Sequence, residues 1–260
     1  MTTAQVTSAD TAEHQKYEGV FDAGRHWRAR LGFVLLAMEQ TIDSDLTRMA
    51  PDGVGVHVTR AAMSNAVNVD TLTEMVQHIQ PAGGVLLPEL ELDVVCYACT
   101  SGTVVNGEET IERELAEGSR AKQYTTLLGG VREALTTLGA ERVSVVTPYV
   151  DGINQLEATY LEEQGFRLDS LKGLGIELDE DIARVNTAFL ADYAEKHTHP
   201  DSDVLFISCG ALRSIEIIDE LEERIGKPVV TSNQAMMWHC LRLAGVTDER
   251  DGLGVLFREH

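Results

Sequence analysis

LDVVCYACTSG at residues 92–102 and SDVLFISCGAL at residues 202–212 share one pattern: a hydrophobic run, a cysteine, then small residues. A run of β-branched and apolar residues this short predicts a buried strand, and each cysteine stands where its strand ends. Cys99 falls on Cys209 at an offset of 110 residues, and Phe33–Leu36 falls on Val143–Val146 at the same offset. Thr125 matches Thr231 and Gly139 matches Gly245 at an offset of 106. Such register predicts a duplicated half of roughly 100 residues and two similar sub-domains related by pseudo-twofold symmetry.

Outward from these stretches, short strands alternate with amphipathic helices. Strands are expected at 31–36, 54–59, 93–98, 142–147, 166–171, 203–208 and 228–231. Helices are expected at 43–49, 69–79, 107–117, 124–138, 155–164, 179–195, 211–225 and 234–244. That alternation predicts parallel sheet and an α/β fold of two Rossmann-like lobes. Residues 1–28 are polar and aperiodic and are expected to form a tail or peripheral arm. The first lobe is expected to hold 29–122 with 230–260, and the second 123–229.

The 260 residues include 42 acidic and 21 basic side chains, a net charge of −21. That balance excludes nucleic acid, because phosphate binding needs clustered cations, and it disfavours anionic lipid. It does not exclude an anionic small molecule, since a site can be locally positive. Sixteen Arg against five Lys fits a high-salt cytoplasm or ordinary solubility equally. The start has no apolar signal region, and no stretch reaches the ~20 apolar residues of a membrane span, so a cytoplasmic protein is expected.

Ligands of open α/β sheets bind beyond the carboxyl ends of the strands. Cys99 and Cys209 both sit there, before Thr100-Ser101-Gly102 and Gly210-Ala211. Small residues let a ligand approach backbone N–H groups, and a helix N-terminus there lowers a thiol's pKa and attracts a carboxylate. Two facing thiols can take a proton from one side of a carbon and return it to the other, or attack with one sulfur and protonate with the other. Thr100, Ser101 and Ser232 can add hydroxyl donors, and the amides an oxyanion hole. Cys96, on the opposite face of its strand, and Cys240, in an amphipathic helix, read as inert core thiols. Cys96-x-x-Cys99 lacks the second pair a zinc site needs, and no dinucleotide or phosphate-loop motif is present, so neither metal nor cofactor is expected. His57, His197, His199 and His239 read as core, rim or solvated histidines.

ACTSGT (98–103), VTPY (146–149), ISCGALR (207–213) and PVVTSNQAMMWH (228–239) together resemble the aspartate/glutamate racemase superfamily. Within it, the likeness is to the maleate isomerase and arylmalonate decarboxylase branch, and TSNQA with Trp238-His239 points to the racemase-like proteins of ectoine utilisation. The resemblance spans about residues 30–246. It implies a cofactor-independent enzyme of two lobes, each with a four-stranded parallel sheet, a site between them, and homodimers or higher oligomers. It assigns Cys99 to the first lobe and Cys209 to the second as a catalytic pair. Decarboxylase members carry glycine at the first position. Tyr149 matches a family tyrosine that binds a substrate carboxylate.

Two positions depart from the maleate isomerase pattern: Glu39-Gln40 and Asp181 stand where those enzymes have asparagines. An ionised acid cannot donate a hydrogen bond to a carboxylate and instead favours a cation. The expected substrate is therefore an amino acid, such as a diaminobutyrate derivative from ectoine breakdown, racemised at the carbon next to its carboxylate. Ser232 and Asn233 complete the expected contacts. The alternatives are maleate cis–trans isomerisation through a Cys99 adduct and, in another class, a non-catalytic small-molecule-binding protein.

Overall fold

A computed structural model of the chain describes residues 21–260; most of the expected 1–28 arm, residues 1–20, lies outside them. The first half runs β1 (Ala29–Leu36), α1 (Ile42–Met49), β2 (Val54–Ala61), α2 (Val69–Glu74), α3 (Ile79–Gly83), β3 (Leu92–Tyr97), α4 (Thr100–Asn106), α5 (Glu108–Gly118) and β4 (Ala121–Thr126). α6 (Leu127–Thr137) leads into β5 (Arg142–Thr147), α7 (Asp151–Glu163), β6 (Arg167–Gly173), α8 (Asp179–Ile182), α9 (Thr187–His197), β7 (Val204–Ile207), α10 (Ile218–Ile225) and β8 (Val229–Thr231). α11 (Ser232–Leu243) and α12 (Gly254–Glu259) complete the chain.

The strands form two parallel four-stranded sheets, ordered β2-β1-β3-β4 and β6-β5-β7-β8. The order of the second repeats that of the first, so the fold is duplicated. The central strands β1, β3, β5 and β7 are buried almost throughout, as helices on both faces of a parallel sheet require.

The spacing between equivalent positions is not constant. Val34 pairs with Tyr97 as Val146 pairs with Ile207, so β1 and β5 are offset by 112 residues while β3 and β7 are offset by 110. Tyr97 pairs with Thr126 and Ile207 with Thr231, an offset of 105. The expected 110 holds at the cysteine strands alone. Insertions between elements shift the rest.

β4 replaces the start of the helix expected at 124–138. It is a six-residue edge strand whose Lys122 and Gln123 face solvent, and edge strands are short and polar because charge blocks further pairing. The Thr126 hydroxyl then accepts the Gly129 N–H at 2.9 Å and caps α6. Strand pairing moves both lobe boundaries: 123–126 complete the first sheet and 230–231 the second. α6 and α11 cross at the junction, so close that a Cβ on Gly130 would lie 3.0 Å from both the Ala235 carbonyl oxygen and Met236 Cα. Among the described residues no helix is long and apolar enough to cross a membrane.

Candidate active site

β3 and β7 end at the junction of the lobes and deliver Cys99 and Cys209 to one cavity. Cys99 is the N-cap of α4: its Sγ accepts the Gly102 N–H at 3.2 Å, and the Ser101 hydroxyl lies 3.6 Å away. Gly102 is required, since a Cβ there would meet the Tyr97 hydroxyl at 2.6 Å and Cys99 Sγ at 3.1 Å. Its amide is therefore spent on the thiol and is not free for a substrate oxyanion.

Cys209 is held differently. No helix begins beside it: the chain turns through residues 210–213 before a 3₁₀ turn at Ser214–Ile217, and the helix expected from Ala211 starts at Ile218. Its φ of +99° lies where β-carbons clash, at a cost of about 1–3 kcal/mol. The strain is fixed from behind by α11. Ser232 Oγ accepts the Cys209 N–H at 2.9 Å, and Asn233 Nδ2 donates to the Gly210 carbonyl at 2.8 Å. Ser232 also lies 3.2 Å from Thr100 Oγ1, joining the two cysteine motifs. Ser232 and Asn233, expected to touch substrate, support the second cysteine loop and do not line the cavity.

Tyr149, Thr100, Ser101, Gly210 and Ala211 line the cavity, as does Glu39. Gln40 does not; it is exposed on the far side of the same loop. Asp181 is also misplaced: it is exposed and pairs with Arg184 at 3.2 Å. The acid that enters the cavity is Asp179, buried, with Oδ2 lacking any hydrogen-bond partner among the described residues. The signal was present in the sequence. In DEDI the apolar Ile182 marks the inward face, and the residue sharing that face at i−3 is Asp179.

No described residue lining the cavity is Lys, Arg or His. Burial therefore dominates its electrostatics. Glu39 is pushed up to about 7 although its Oε1 accepts the amides of Thr41 and of Ile42, the latter at 2.9 Å. Burial also raises Asp179. Cys99 is pushed up to about 11 by burial, against the Gly102 amide and the Ser101 hydroxyl. Cys209 rises well above its ordinary value from burial, with Tyr149 and the Ala211 amide opposing and Asp179 and Glu39 adding to it. The expected lowering of thiol pKa by helix ends is thus outweighed, and both cysteines rest as thiols.

A clasp closes the cavity. Ala66 and Leu178 form an antiparallel bridge, Val67 N–H donates to Glu177 O at 2.9 Å, and Asp179 N–H to Asn65 O at 3.1 Å. Met63, Val67, Leu72 and Ile182 add an apolar roof that the sequence did not announce. The free volume of about 20 Å³ is room for a single water, so a larger ligand needs the cavity to widen. Cys96 and Cys240 lie buried away from the site, and all four cysteines are unpaired.

A duplicated parallel α/β fold with a thiol from each lobe in one buried, cation-free cavity defines a class of cysteine-based enzyme working at the lobe junction. The arylmalonate decarboxylase family model matches residues 55–257. Arylmalonate decarboxylase of Bordetella bronchiseptica is 30% identical over 88% of this chain and 96% of that protein. Maleate isomerase of Pseudomonas putida is 24% identical over 87% of this chain and 96% of its own length. Among solved structures, a Nocardia farcinica maleate cis-trans isomerase with a covalently bound succinylcysteine intermediate superposes with a TM-score of 0.82 at 22% identity. It covers 89% of this chain and 99% of that one, and the likeness concerns the fold. The chain belongs to the arylmalonate decarboxylase family, whose relatives named above are decarboxylases and isomerases, and it is an enzyme of that kind.

Proposed function

We propose that the protein is a cofactor-independent isomerase that uses Cys99 and Cys209 at a carbon next to a carboxylate, on a substrate that also carries an amine. The observation that carries this reading is the cavity itself: two thiols, two buried acids, an unpartnered Asp179 oxygen and no cation. An ammonium group supplies the missing donor to Asp179 and pairs by charge with Glu39. It would also neutralise the acids that add to burial in holding the thiols protonated, and so bring them toward ionisation as substrate binds. One thiolate then takes the α-proton, and the other thiol delivers its own proton to the opposite face. The Thr100 and Ser101 amides, in the first turn of α4, have no intrahelical acceptor and suit the enolate oxygen. The likeness to ectoine-utilisation proteins makes N-acetylated diaminobutyrate the first substrate to try.

A second reading, maleate isomerisation, is favoured by one observation. Glu39, raised by burial to about 7, is partly protonated near pH 7, and a neutral carboxyl can donate to a substrate carboxylate. Cys99, ionised first, would add as the thiolate to one alkene carbon, the π electron pair passing into the far carboxylate; the resulting single bond would rotate, and return of that pair would expel the thiolate. Incubation in deuterated water separates the two. The amine reading expects α-deuterium in the amino acid and kcat/KM rising as pH passes through 7. Rapid maleate conversion that declines over the same range, with no amino-acid exchange, overturns it.

A further inference from the structure

Behind the cysteine cavity lies a second, more open pocket of about 290 Å³, separated from the first by one layer of backbone. Glu39 faces the cysteines while Gln40 and Thr41 face the second pocket; Ile182 and Ala211 face the first, Arg184 and Arg213 the second. Thr41 Oγ1 donates to the Ala211 carbonyl at 2.8 Å and ties this wall together.

Three arginines line the second pocket: Arg48 from α1, Arg184 after α8, and Arg213 beyond the Cys209 turn. In a chain with twice as many acids as bases this is a local reversal of sign. Among the described residues neither Arg48 nor Arg213 makes an ion pair, and Arg184 pairs only with exposed Asp181. Arg213 donates one Nη2–H to the Val185 carbonyl at 3.0 Å, while its Nε is buried with no acceptor among the described residues. The acids in the pocket are Glu216, which is exposed, and Asp45, whose Oδ2 is already taken by Asn233 at 2.8 Å. An arginine kept only for packing would have its buried N–H satisfied from within the protein.

We propose that this pocket binds the oxyanion of a small molecule, a carboxylate or a phosphate, as a site distinct from the cysteine cavity. Guanidinium forks match such oxyanions in two-point geometry, and a concave cationic patch on an acidic protein concentrates anions locally. Among the described residues no cation lines the cysteine cavity, whereas this neighbouring pocket attracts an anion by charge. The site is independent of the reaction assigned to the cysteines.

The test is a nuclear magnetic resonance titration that follows the Arg213 Nε–Hε signal, assigned by its loss in Arg213→Lys, with succinate and inorganic phosphate added separately to the intact protein. A saturable shift with either anion is expected, weakened roughly tenfold by Arg48→Gln or by Arg184→Gln. Tighter succinate binding identifies a carboxylate ligand, and tighter phosphate binding a phosphorylated one. No saturable shift up to roughly 50 mM, where even a millimolar site is filled, overturns the proposal, as does a shift unchanged in both variants. A Cys99→Ser, Cys209→Ser protein should bind as the wild type does, which separates failure here from failure of the catalytic reading.

Discussion

Glu157 sits on α7 where the buried positions Ile153, Asn154 and Leu161 mark an inward stripe, and it is wholly buried. Among the described residues neither carboxyl oxygen has a close hydrogen-bond partner; the neighbouring Ser208 hydroxyl, which immediately precedes Cys209, only partly opposes the effect of burial. Burial pushes the carboxyl from 4.5 to about 7. Between those values the folded protein keeps a proton that the unfolded chain has lost, so stability falls as pH rises through that window. At about 1.36 kcal/mol per pH unit the full effect is about 3 kcal/mol, complete above pH 7 and under about 1 kcal/mol at pH 5. Glu157→Gln cannot ionise. It should therefore be more stable than the wild type by up to about 3 kcal/mol at pH 8 and by less than about 1 kcal/mol at pH 5. Urea unfolding of both proteins at the two pH values, with m-values checked for constancy, reads this directly. Glu39 and Asp45 are raised in the same direction, but they are present in both proteins and cancel in the difference. An equal stability difference at pH 5 and pH 8 would show that Glu157 carries no buried charge at neutral pH and would refute the reasoning.

Three further outcomes are expected. Cys99→Ser and Cys209→Ser should each lower turnover at least 10³-fold, about 4 kcal/mol of barrier, with circular dichroism unchanged; full activity in either would remove that thiol from the chemistry. Alkylation of Cys99 by iodoacetamide, followed by peptide mass mapping, should be slow at pH 7 and accelerate toward the thiol's value of about 11, and a plateau already reached by pH 8 would contradict its burial. Gly210→Ala should cost about 1–3 kcal/mol and depress kcat, because the added Cβ would lie 2.6 Å from Ile42 Cδ1 and 3.0 Å from Asn233 Oδ1; an unaltered melting temperature would mean the loop yields freely.

Strand positions were legible where strands are buried on both faces. The run 142–147 was expected and is β5, because continuous apolar residues leave little choice of environment. β4 was not, since its polar residues carry no periodic signal and only pairing to β3 makes it a strand. The helix expected at 69–79 is divided into α2, a 3₁₀ turn at Met75–His78 and α3, and that expected at 179–195 into α8 and α9, with an interruption at residues 183–186. Within the site, residues adjoining the cysteines could be placed because strand ends fix them. Asp179 and the roof residues could not, because loops from opposite lobes meet over the cavity through backbone hydrogen bonds that depend on no particular side chain.

The sequence repeat presents Cys99 and Cys209 as equivalents, and the structure makes them unequal. Cys99 has relaxed backbone (φ −148°, ψ 120°) and a thiol tied to the amide and hydroxyl of its own helix turn. Cys209 has a strained φ held by Ser232 and Asn233, with Tyr149 and the Ala211 amide as the neighbours that favour its ionisation. Strain of this kind persists where the surroundings over-determine it, and α11 supplies that constraint from the crossing of the two lobes. Duplication therefore explains why two thiols share a cavity but not how each behaves. A proton donor that must be re-protonated after each turnover suits the cysteine beside a phenol, Cys209. A sulfur oriented by a helix turn suits the one that meets carbon or its proton first, Cys99. On this division, Tyr149→Phe should slow the direction in which Cys99 takes the proton and Cys209 donates more than the direction in which Cys209 takes the proton and Cys99 donates, a contrast that isotope exchange from each substrate enantiomer resolves and that equal slowing of both directions would exclude.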